Sequence, residues 1–478
     1  MFSSRLNWDL RPNPLTTLLE QKRIEGTRIL DLTESNPTRA GFNYPTPEIL
    51  SALADTRALR YDPSPRGLPS AREAISNYYA RGAGDLVACP PAPCVSLGLQ
   101  GELVTRRPAP CVSVGLHPAP CVSLGVHPAP CVSVGVHPDQ ILLTASTSEA
   151  YAYLFKLLCD PGDEILTPRP SYPLFEFLAA LESVRIRQYP LRYDGAWHID
   201  FAALQAAITP RTRAIVVVNP NNPTGSFLKP DEFDRLQSLA IRSSSSPMRQ
   251  LGATGNATDS SSPTRQGGDA QPGIAIPPSS PTREGGASTR SIAILIDEVF
   301  SDYHLGPPPP AQPEPRTLTF SLSGLSKIAG LPQMKLGWIV AQGPGHQAAL
   351  DRLELIADTY LSVATPVQLA LPRLLAASET IRAQILHRAQ SNLARLRSLT
   401  TGTPCHVLNV EGGWSATLQV PRTRTEEQWA LTLLADHDVL IQPGFFFDFE
   451  SEAFLVVSLI TPPEIFDEGI CRLLRLLQ

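Results

Sequence analysis

The sequence predicts an α/β fold: a large domain built on a mainly parallel β-sheet flanked by helices, with a smaller α+β domain. Between residues 141 and 340, fully apolar runs such as 214–218 and 292–296 alternate with segments of helical pattern. Strands that are apolar throughout are typical of a parallel sheet covered by helices on both faces. After a long helical region at 347–399, residues 405–478 mix short strands with helices, which predicts the smaller domain.

The elements follow in a regular order along the chain. The predicted strands are 29–32, 141–144, 164–167, 184–189, 214–218, 292–296, 318–322 and 338–340. The predicted helices are 13–25, 69–80, 148–159, 172–181, 201–208 and 230–241, before the region 347–399. We therefore expect residues 1–40 to form an N-terminal arm that belongs to the small domain, 41–345 the large domain, and 346–478 the small α+β domain.

Two stretches interrupt this alternation. Pro-Ala-Pro-Cys-Val-Ser recurs at 91, 108, 118 and 128, and Ser-Ser-Pro-Thr-Arg-x-Gly-Gly recurs at 261 and 279. Segments rich in Pro, Gly and Ser have too little apolar surface to fold alone, and lengthening a surface loop costs little free energy. We expect loops inserted at about 88–137 and 242–290. A metal site built from the Cys and His residues of the first repeat is an alternative, although the spacing is not typical of zinc.

The composition of the chain indicates which partners, metal sites and cellular location to expect. The chain has 478 residues, a net charge of −5 and a pI near 6.0, so a nucleic-acid or membrane partner is not expected. The first residues lack the apolar segment of a signal peptide. The eight cysteines include no CxxC pair, so we expect no metal site of that kind and no disulfide framework. A cytoplasmic location is the expectation.

Polar residues with distinct chemistry follow several of the predicted strands. The motif Asn-Pro-Asn-Asn-Pro-Thr-Gly occupies 219–225, Asp297 ends the strand 292–296, and Lys327 lies among small residues after 318–322. A hydroxyl-rich stretch, 144–148, begins a helix, where anions bind. A carboxylate can hold a pyridinium N–H, a lysine can form an imine and an asparagine can donate to a phenolate. This set predicts a site for pyridoxal 5'-phosphate.

These motifs, taken in order with Ser326-Lys327-x-x-Gly330-Leu331-Pro332, resemble the class I/II aminotransferases of fold type I. The resemblance covers nearly everything outside the two inserted stretches. It implies a pyridoxal-phosphate-dependent aminotransferase that moves an amino group between an amino donor and a 2-oxo acid by a ping-pong mechanism. It also implies a homodimer with shared active sites.

The resemblance implies a role for each matching residue. Lys327 would form the internal aldimine and shuttle the substrate proton, Asp297 would keep the pyridine nitrogen protonated, and Asn222 would donate to the phenolate oxygen. Tyr172 would stack on the pyridine ring, although a packed aromatic residue at a helix start remains an alternative.

Further residues would bind the phosphate or the substrate. Thr147 and Ser148 would hold the phosphate, with Ser326 as a further hydroxyl and Lys335 as the cation. Tyr61 would reach the phosphate of the neighbouring subunit's cofactor. The loop that contains Asn36 would lie over the substrate.

Some positions depart from the pattern that the resemblance implies. Lys335 stands where an arginine is usual, and Phe300 stands where a tyrosine hydroxyl is usual. We expect the loss of that hydroxyl to raise the pKa of the imine. The segment 454–459 lacks the arginine that usually binds the substrate carboxylate. The aromatic run 442–447, together with 412–414, either closes over the substrate or forms a domain interface.

Two other classes of function remain open from the sequence. The first is another pyridoxal-phosphate reaction on the same scaffold, such as a carbon–sulfur β-lyase or a decarboxylase, because a fold does not determine a reaction. The second is a catalytically impaired relative, although the presence of Lys327, Asp297 and Asn222 argues against it.

Overall fold

The structure is a computed structural model that describes residues 2–84, 135–245 and 291–477. The expectation of inserted loops falls mainly on residues outside these ranges, and so does the alternative metal site of the first repeat. Within the described ranges, no group of three or more potential metal ligands is found. The same ranges contain no helix that is long and apolar enough to span a membrane.

Twelve α-helices and fourteen strands lie in the described ranges. The helices are α1 (Pro14–Ile24), α2 (Thr46–Leu53), α3 (Pro69–Gly84), α4 (Thr147–Leu158), α5 (Leu174–Leu181), α6 (Phe201–Ala207), α7 (Pro230–Ser245), α8 (Leu325–Ile328), α9 (His346–Tyr360), α10 (Thr365–Thr400), α11 (Glu426–His437) and α12 (Pro463–Leu476). The strands are β1 (Leu30–Asp31), β2 (Ile141–Thr144), β3 (Glu164–Arg169), β4 (Arg185–Tyr193), β5 (Trp197–Ile199), β6 (Thr212–Val218), β7 (Ala293–Asp297), β8 (Thr319–Gly324), β9 (Gly337–Gln342), β10 (His406–Val407), β11 (Ser415–Gln419), β12 (Val439–Leu440), β13 (Gln442–Pro443) and β14 (Phe454–Ser458).

The large sheet has eight strands in the order β2-β9-β8-β7-β6-β3-β4-β5. The strands β4, β3, β6, β7 and β8 are parallel to one another, whereas β9 is antiparallel to both β8 and β2, and β5 is antiparallel to β4. Both faces are covered, because alternate side chains of β6 and β7 enter two different hydrophobic clusters. The predicted fold class, a mainly parallel sheet flanked by helices beside a smaller α+β part, is confirmed.

The smaller part of the fold is a four-stranded sheet in the order β10-β11-β14-β13. The N-terminal strand β1 pairs in parallel with β12 near the C-terminus, so Leu30 lies opposite Val439. This pairing joins the N-terminal segment to the C-terminal region, as the proposed division at residue 40 requires. The division into domains itself stays a prediction.

The structure corrects a few element predictions. The region predicted as one long helical stretch is two helices, α9 and α10, and Leu361 between them adopts a left-handed conformation with φ of 45°. The sequence interpretation also omitted α2 and β5. The helix predicted from residue 172 begins at Leu174, because Pro173 fixes its own φ and precedes the first helical residue.

Candidate active site

The carboxyl ends of β6, β7 and β8 meet at one edge of the large sheet. These three strands are adjacent and parallel, with Val218 opposite Asp297 and Asp297 opposite Leu322. The strands are followed respectively by the loop that holds Asn222, by Glu298, and by the short helix α8 that holds Lys327. The predicted convergence of an asparagine, an aspartate and a lysine is therefore present.

The Asn222 loop is held by its own side chains and by the segment 411–415. Asn221 accepts a hydrogen bond from the hydroxyl of Thr224 at 2.9 Å, and Ser415 donates to Oδ1 of Asn222 at 3.1 Å. Gly225 has φ of +70°, and a Cβ there would lie 2.7 Å from the carbonyl oxygen of Gly412. Only glycine fits this turn without strain, so the motif fixes the direction of Asn222.

Asp297 ends β7 in a mostly apolar environment. The hydroxyl of Tyr151 donates to its Oδ2 at 3.0 Å, and the N–H of Val299 donates to Oδ1 at 3.2 Å. Burial raises the pKa of Asp297 to about 6, whereas the two hydrogen bonds and the charge of Lys327 act to lower it. A cation that approaches this carboxylate would stabilise its ionised form.

Lys327 lies beside two aromatic rings. Its Nζ is 5.5 Å from the ring centroid of Phe300 and 5.1 Å from that of Trp414, and both rings are buried. Burial lowers the pKa of Lys327, and the carboxylate of Asp297 opposes this effect. The amine is therefore neutral in a larger fraction of molecules than an exposed lysine amine would be.

The helix α4 begins at the same edge, since β2 runs parallel in direction to β8 across the antiparallel β9. The hydroxyl of Ser146 caps the helix by accepting from the N–H of Glu149 at 3.2 Å. Thr147 and Ser148 are the first helical residues, and their hydroxyls have no hydrogen-bond partner in the described part of the chain. Ser146 was not among the predicted phosphate residues, and its hydroxyl is already engaged.

Lys335 is exposed and adopts a left-handed conformation with φ of 48°. It lies two residues before Gly337, which pairs with Thr144 at the end of β2. It is therefore Gly337, two residues after Lys335, that lies beside the loop before α4. Ser326, one residue before Lys327, is partly buried.

Two of the other predicted residues, Tyr61 and Tyr172, are exposed. Tyr61 is 79% exposed and lines a cavity of about 180 Å³ beside the segment 361–365. Tyr172 is 49% exposed and follows β3 at the same edge of the sheet. No contact between Lys327 and either tyrosine is found among the described residues, so their roles stay predictions.

The loop around Asn36 is anchored to the small sheet. The hydroxyl of Ser458, at the end of β14, donates to the carbonyl oxygen of Glu34 at 2.6 Å. The side chain of Asn36 accepts hydrogen bonds from the N–H and the hydroxyl of Thr38. The Asn36 amide oxygen therefore shapes the loop.

One face of the small sheet also borders this edge. Ser415 and Thr417 are two residues apart in β11, so their side chains lie on the same face of the sheet. In β14, Ser458 lies opposite Ser415 and Val456 lies opposite Thr417. Ser415 reaches Asn222 and Ser458 reaches Glu34, so this face lies between the two loops. Its four side chains are uncharged, and Val456 is buried.

The sequence interpretation missed several residues of the site. Tyr151, Ser415 and Tyr303 contact predicted site residues, and Trp414 was predicted only as part of a closing segment. The aromatic residues near 445 differ in exposure: Phe445 is 47% exposed, whereas Phe447 is buried. The carbonyl oxygen of Phe447 accepts a hydrogen bond from the N–H of Ser171. Tyr151 lies one turn after the hydroxyl-rich helix start at residue 147, which is a signal that could have indicated it.

Comparison with known proteins identifies the family. A family model described as aminotransferase class I and II matches residues 131–246 and 287–468. The glutamate-pyruvate aminotransferase AlaA of Escherichia coli (strain K12) is 24% identical over 374 residues, which are 76% of this chain and 68% of that protein. AlaA of Haemophilus influenzae is 22% identical over 471 residues, 95% of this chain and 91% of that protein.

Solved structures of aminotransferases share the fold. A crystal structure of an aminotransferase from Escherichia coli has a TM-score of 0.70 at 21% identity and covers 100% of this chain and 98% of its own. Alanine aminotransferase from Pyrococcus furiosus has a TM-score of 0.71 at 18% identity, with coverage of 100% and 99%. Because the family model matches more than half of the chain, the protein belongs to the class I and II aminotransferases, enzymes that transfer amino groups.

Proposed function

We propose that this aminotransferase binds pyridoxal 5'-phosphate at the edge formed by β6, β7 and β8, and that Lys327 is its reacting amine. The amino group would pass from an amino donor to a 2-oxo acid in two half-reactions of a ping-pong mechanism. The observation that carries the proposal is that Asn222, Asp297 and Lys327 follow the ends of three adjacent parallel strands. Bound there, the cofactor supplies an electron sink for the charge that develops when the Cα–H bond of the substrate breaks.

The donor and acceptor groups at this edge fit the cofactor's polar atoms. Asp297 offers a carboxylate whose pKa burial raises to about 6, and a protonated ring nitrogen would be its natural partner. Ser415 engages Oδ1 of Asn222, which directs Nδ2 away from Ser415, and this Nδ2 has no partner within the described ranges. It is a free donor for the phenolate oxygen.

Phosphate binding is proposed for the start of α4. The free hydroxyls of Thr147 and Ser148 lie at the positive end of the helix dipole, and Ser326, in α8 directly after β8, would add a further hydroxyl. Lys335 supplies the positive charge without the two parallel N–H donors of an arginine. We therefore expect the phosphate to be held mainly by the helix start.

Lys327 would act as nucleophile and then as proton carrier. Because burial lowers its pKa, Nζ loses its proton more readily than an exposed lysine amine does. In its neutral form, Nζ would accept the proton that leaves Cα of the amino donor and would hold it for return. The rings of Phe300 and Trp414 limit water around Nζ during this transfer.

The assembly and the substrates are also proposals. The exposed Tyr61 would reach the cofactor phosphate of a second copy, which makes a homodimer with shared sites. Tyr172 would stack on the cofactor ring, and the Asn36 loop would cover the substrate. The names of the relatives favour 2-amino acids and 2-oxo acids, and a cytoplasmic location fits such metabolites.

One experiment tests the proposed reaction. The purified protein is loaded with pyridoxal phosphate and mixed with a panel of amino acids and simple amines, and the absorbance band of the cofactor is followed. Conversion to the amine form of the cofactor with release of a 2-oxo acid supports amino transfer. Pyruvate and ammonia without the amine form would indicate a β-lyase, and loss of carbon dioxide a decarboxylase. No change with any donor would indicate an impaired relative.

A further inference from the structure

Tyr303 contacts the backbone of the reacting lysine. Its hydroxyl donates to the carbonyl oxygen of Lys327 at 2.7 Å, and the N–H of Gly330 donates to the same oxygen at 3.0 Å. Lys327 lies in α8, a helix of only four residues. Such a short helix is not stable by itself, so contacts from outside determine the direction of the Lys327 side chain.

Tyr303 also contacts the aromatic wall beside the amine. Its ring packs edge-on against Trp414, with 5.1 Å between centroids and an interplanar angle of 68°. The carbonyl oxygen of Tyr303 accepts from the N–H of Gly413 at 2.9 Å, which fixes the residue before Trp414. Tyr303 is completely buried, so it joins the backbone of Lys327 and the ring next to Nζ in one packed unit.

We propose that Tyr303 is a positioning residue for Lys327: its hydroxyl holds the turn that carries the lysine, and its ring holds Trp414 against the amine. This proposal rests on the proposed function in one respect, that Lys327 is the reacting amine. Loss of the hydroxyl frees the turn, and Nζ then spends more time in hydrated positions where its charged form is favoured.

The chain contains a matched control for this contact. The hydroxyl of Tyr44 donates to the carbonyl oxygen of Gly330 at 2.7 Å, in the same turn and with the same length. Tyr44 is partly buried, and its ring is not paired with Trp414 in the described part of the chain. Tyr303→Phe and Tyr44→Phe therefore delete equivalent hydrogen bonds, of which only the first involves the lysine and its aromatic wall.

The test measures the amine itself, in cofactor-free protein. Wild type and the two variants are pulse-labelled with a small amine-reactive reagent over a range of pH, and mass spectrometry quantifies the label on the peptide that contains Lys327. We expect the labelling midpoint to rise by about half a pH unit or more in Tyr303→Phe and to stay unchanged in Tyr44→Phe. An unchanged midpoint in Tyr303→Phe, or equal shifts in both variants, would overturn the proposal.

A conservative replacement of Tyr303 distinguishes the effect of its hydrogen bond from the effect of its ring on packing. Tyr303→4-aminophenylalanine keeps the ring and a donor, so it is expected to retain the wild-type midpoint even if Tyr303→Phe fails to fold. A midpoint raised as in Tyr303→Phe would contradict the role of the hydroxyl. The labelling reports on Lys327 whether or not the protein transfers amino groups, so it is independent of the test of the proposed function.

Discussion

The hydroxyl of Tyr151 donates a 3.0 Å hydrogen bond to Oδ2 of Asp297, and thus connects the helix that begins the proposed phosphate site to the proposed ring-nitrogen partner. This bond favours the ionised carboxylate, against the burial that raises its pKa. Tyr151 comes from α4 and Asp297 from β7, so the contact is a product of the tertiary fold. It connects the two ends of the proposed cofactor site through one side chain.

Tyr151→Phe should weaken cofactor binding. Removal of the hydroxyl leaves Asp297 with one donor fewer and raises its pKa further, so we expect the Kd for pyridoxal phosphate to rise about tenfold, as the loss of one hydrogen bond to a charged group implies. Fluorescence titration of cofactor-free protein measures this Kd. Tyr189→Phe is the control, because it removes a buried 2.7 Å hydroxyl bond to the carbonyl of Val216 and leaves Asp297 untouched. Equal effects of both variants would refute the specific role of Tyr151.

The cofactor-free protein should lose stability as the pH rises from about 4 to 7. Burial raises the folded-state pKa of Asp297 to about 6 and that of Glu298 to about 7. A carboxyl whose folded-state pKa lies above its unfolded-state value binds more protons when folded, so the free energy of unfolding falls as the pH rises through this window.

Glu298→Gln tests this pH dependence. The variant should remove a loss of unfolding free energy of as much as about 3 kcal/mol, because burial raises the pKa of Glu298 from 4.5 to about 7. Urea unfolding at pH 4.5 and pH 7.5, followed by circular dichroism, measures the difference. Identical pH slopes in wild type and variant would show that Glu298 titrates as an ordinary exposed carboxyl.

Gly225→Ala should destabilise the protein more than Gly26→Ala does. Both glycines have positive φ, +70° and +76°, so both variants incur the backbone strain of about 1 kcal/mol. At Gly225 the new Cβ would also lie 2.7 Å from the carbonyl oxygen of Gly412, whereas at Gly26 it meets nothing within 4 Å.

We therefore expect Gly225→Ala to lower the free energy of unfolding by about 1–3 kcal/mol more than Gly26→Ala does. Urea midpoints of the two variants measure this. Equal losses would mean that the Asn222 loop moves away from Gly412 at little cost.

Phe300→Tyr should lower the pH at which the absorbance of the bound cofactor titrates. Phe300 is buried edge-on against Trp414, 5.2 Å between centroids, and its ring centroid is 5.5 Å from Nζ of Lys327. A tyrosine hydroxyl there would stabilise the phenolate of the cofactor and so favour the deprotonated form, lowering the midpoint by about one pH unit. Spectrophotometric titration checks the direction, and an unchanged or higher midpoint would show that the hydroxyl does not reach the phenolate.

The sequence was sufficient to predict the frame of the site. Asn222, Asp297 and Lys327 each follow an apolar strand of the predicted parallel sheet. The ends of adjacent parallel strands lie at one edge of the sheet, so these three residues are expected to lie close together. The strand pattern placed these residues together, and the family resemblance then implied the chemical role of each.

The side chains that complete the site could not be predicted in this way. Ser415, Trp414 and Tyr303 reach Asn222 and Lys327 from elements whose sequence carries no periodic signal for that contact. Their positions depend on the packing of the small sheet and on the pairing of Tyr303–Leu305 with residues 411–413. Such contacts depend on tertiary packing, which local sequence patterns do not encode.

Lys327 is the amine that we propose to bond the cofactor, and trapping that bond chemically identifies the amine. Cofactor-free protein is incubated with pyridoxal phosphate, reduced with borohydride, digested and analysed by mass spectrometry, with Lys327→Ala and Lys335→Ala treated in parallel. We predict that the reduced cofactor is found on the peptide that contains Lys327 in wild type and in Lys335→Ala, and is lost in Lys327→Ala. Attachment to another lysine in the wild type, or an undiminished adduct in Lys327→Ala, would show that Lys327 is not the reacting amine.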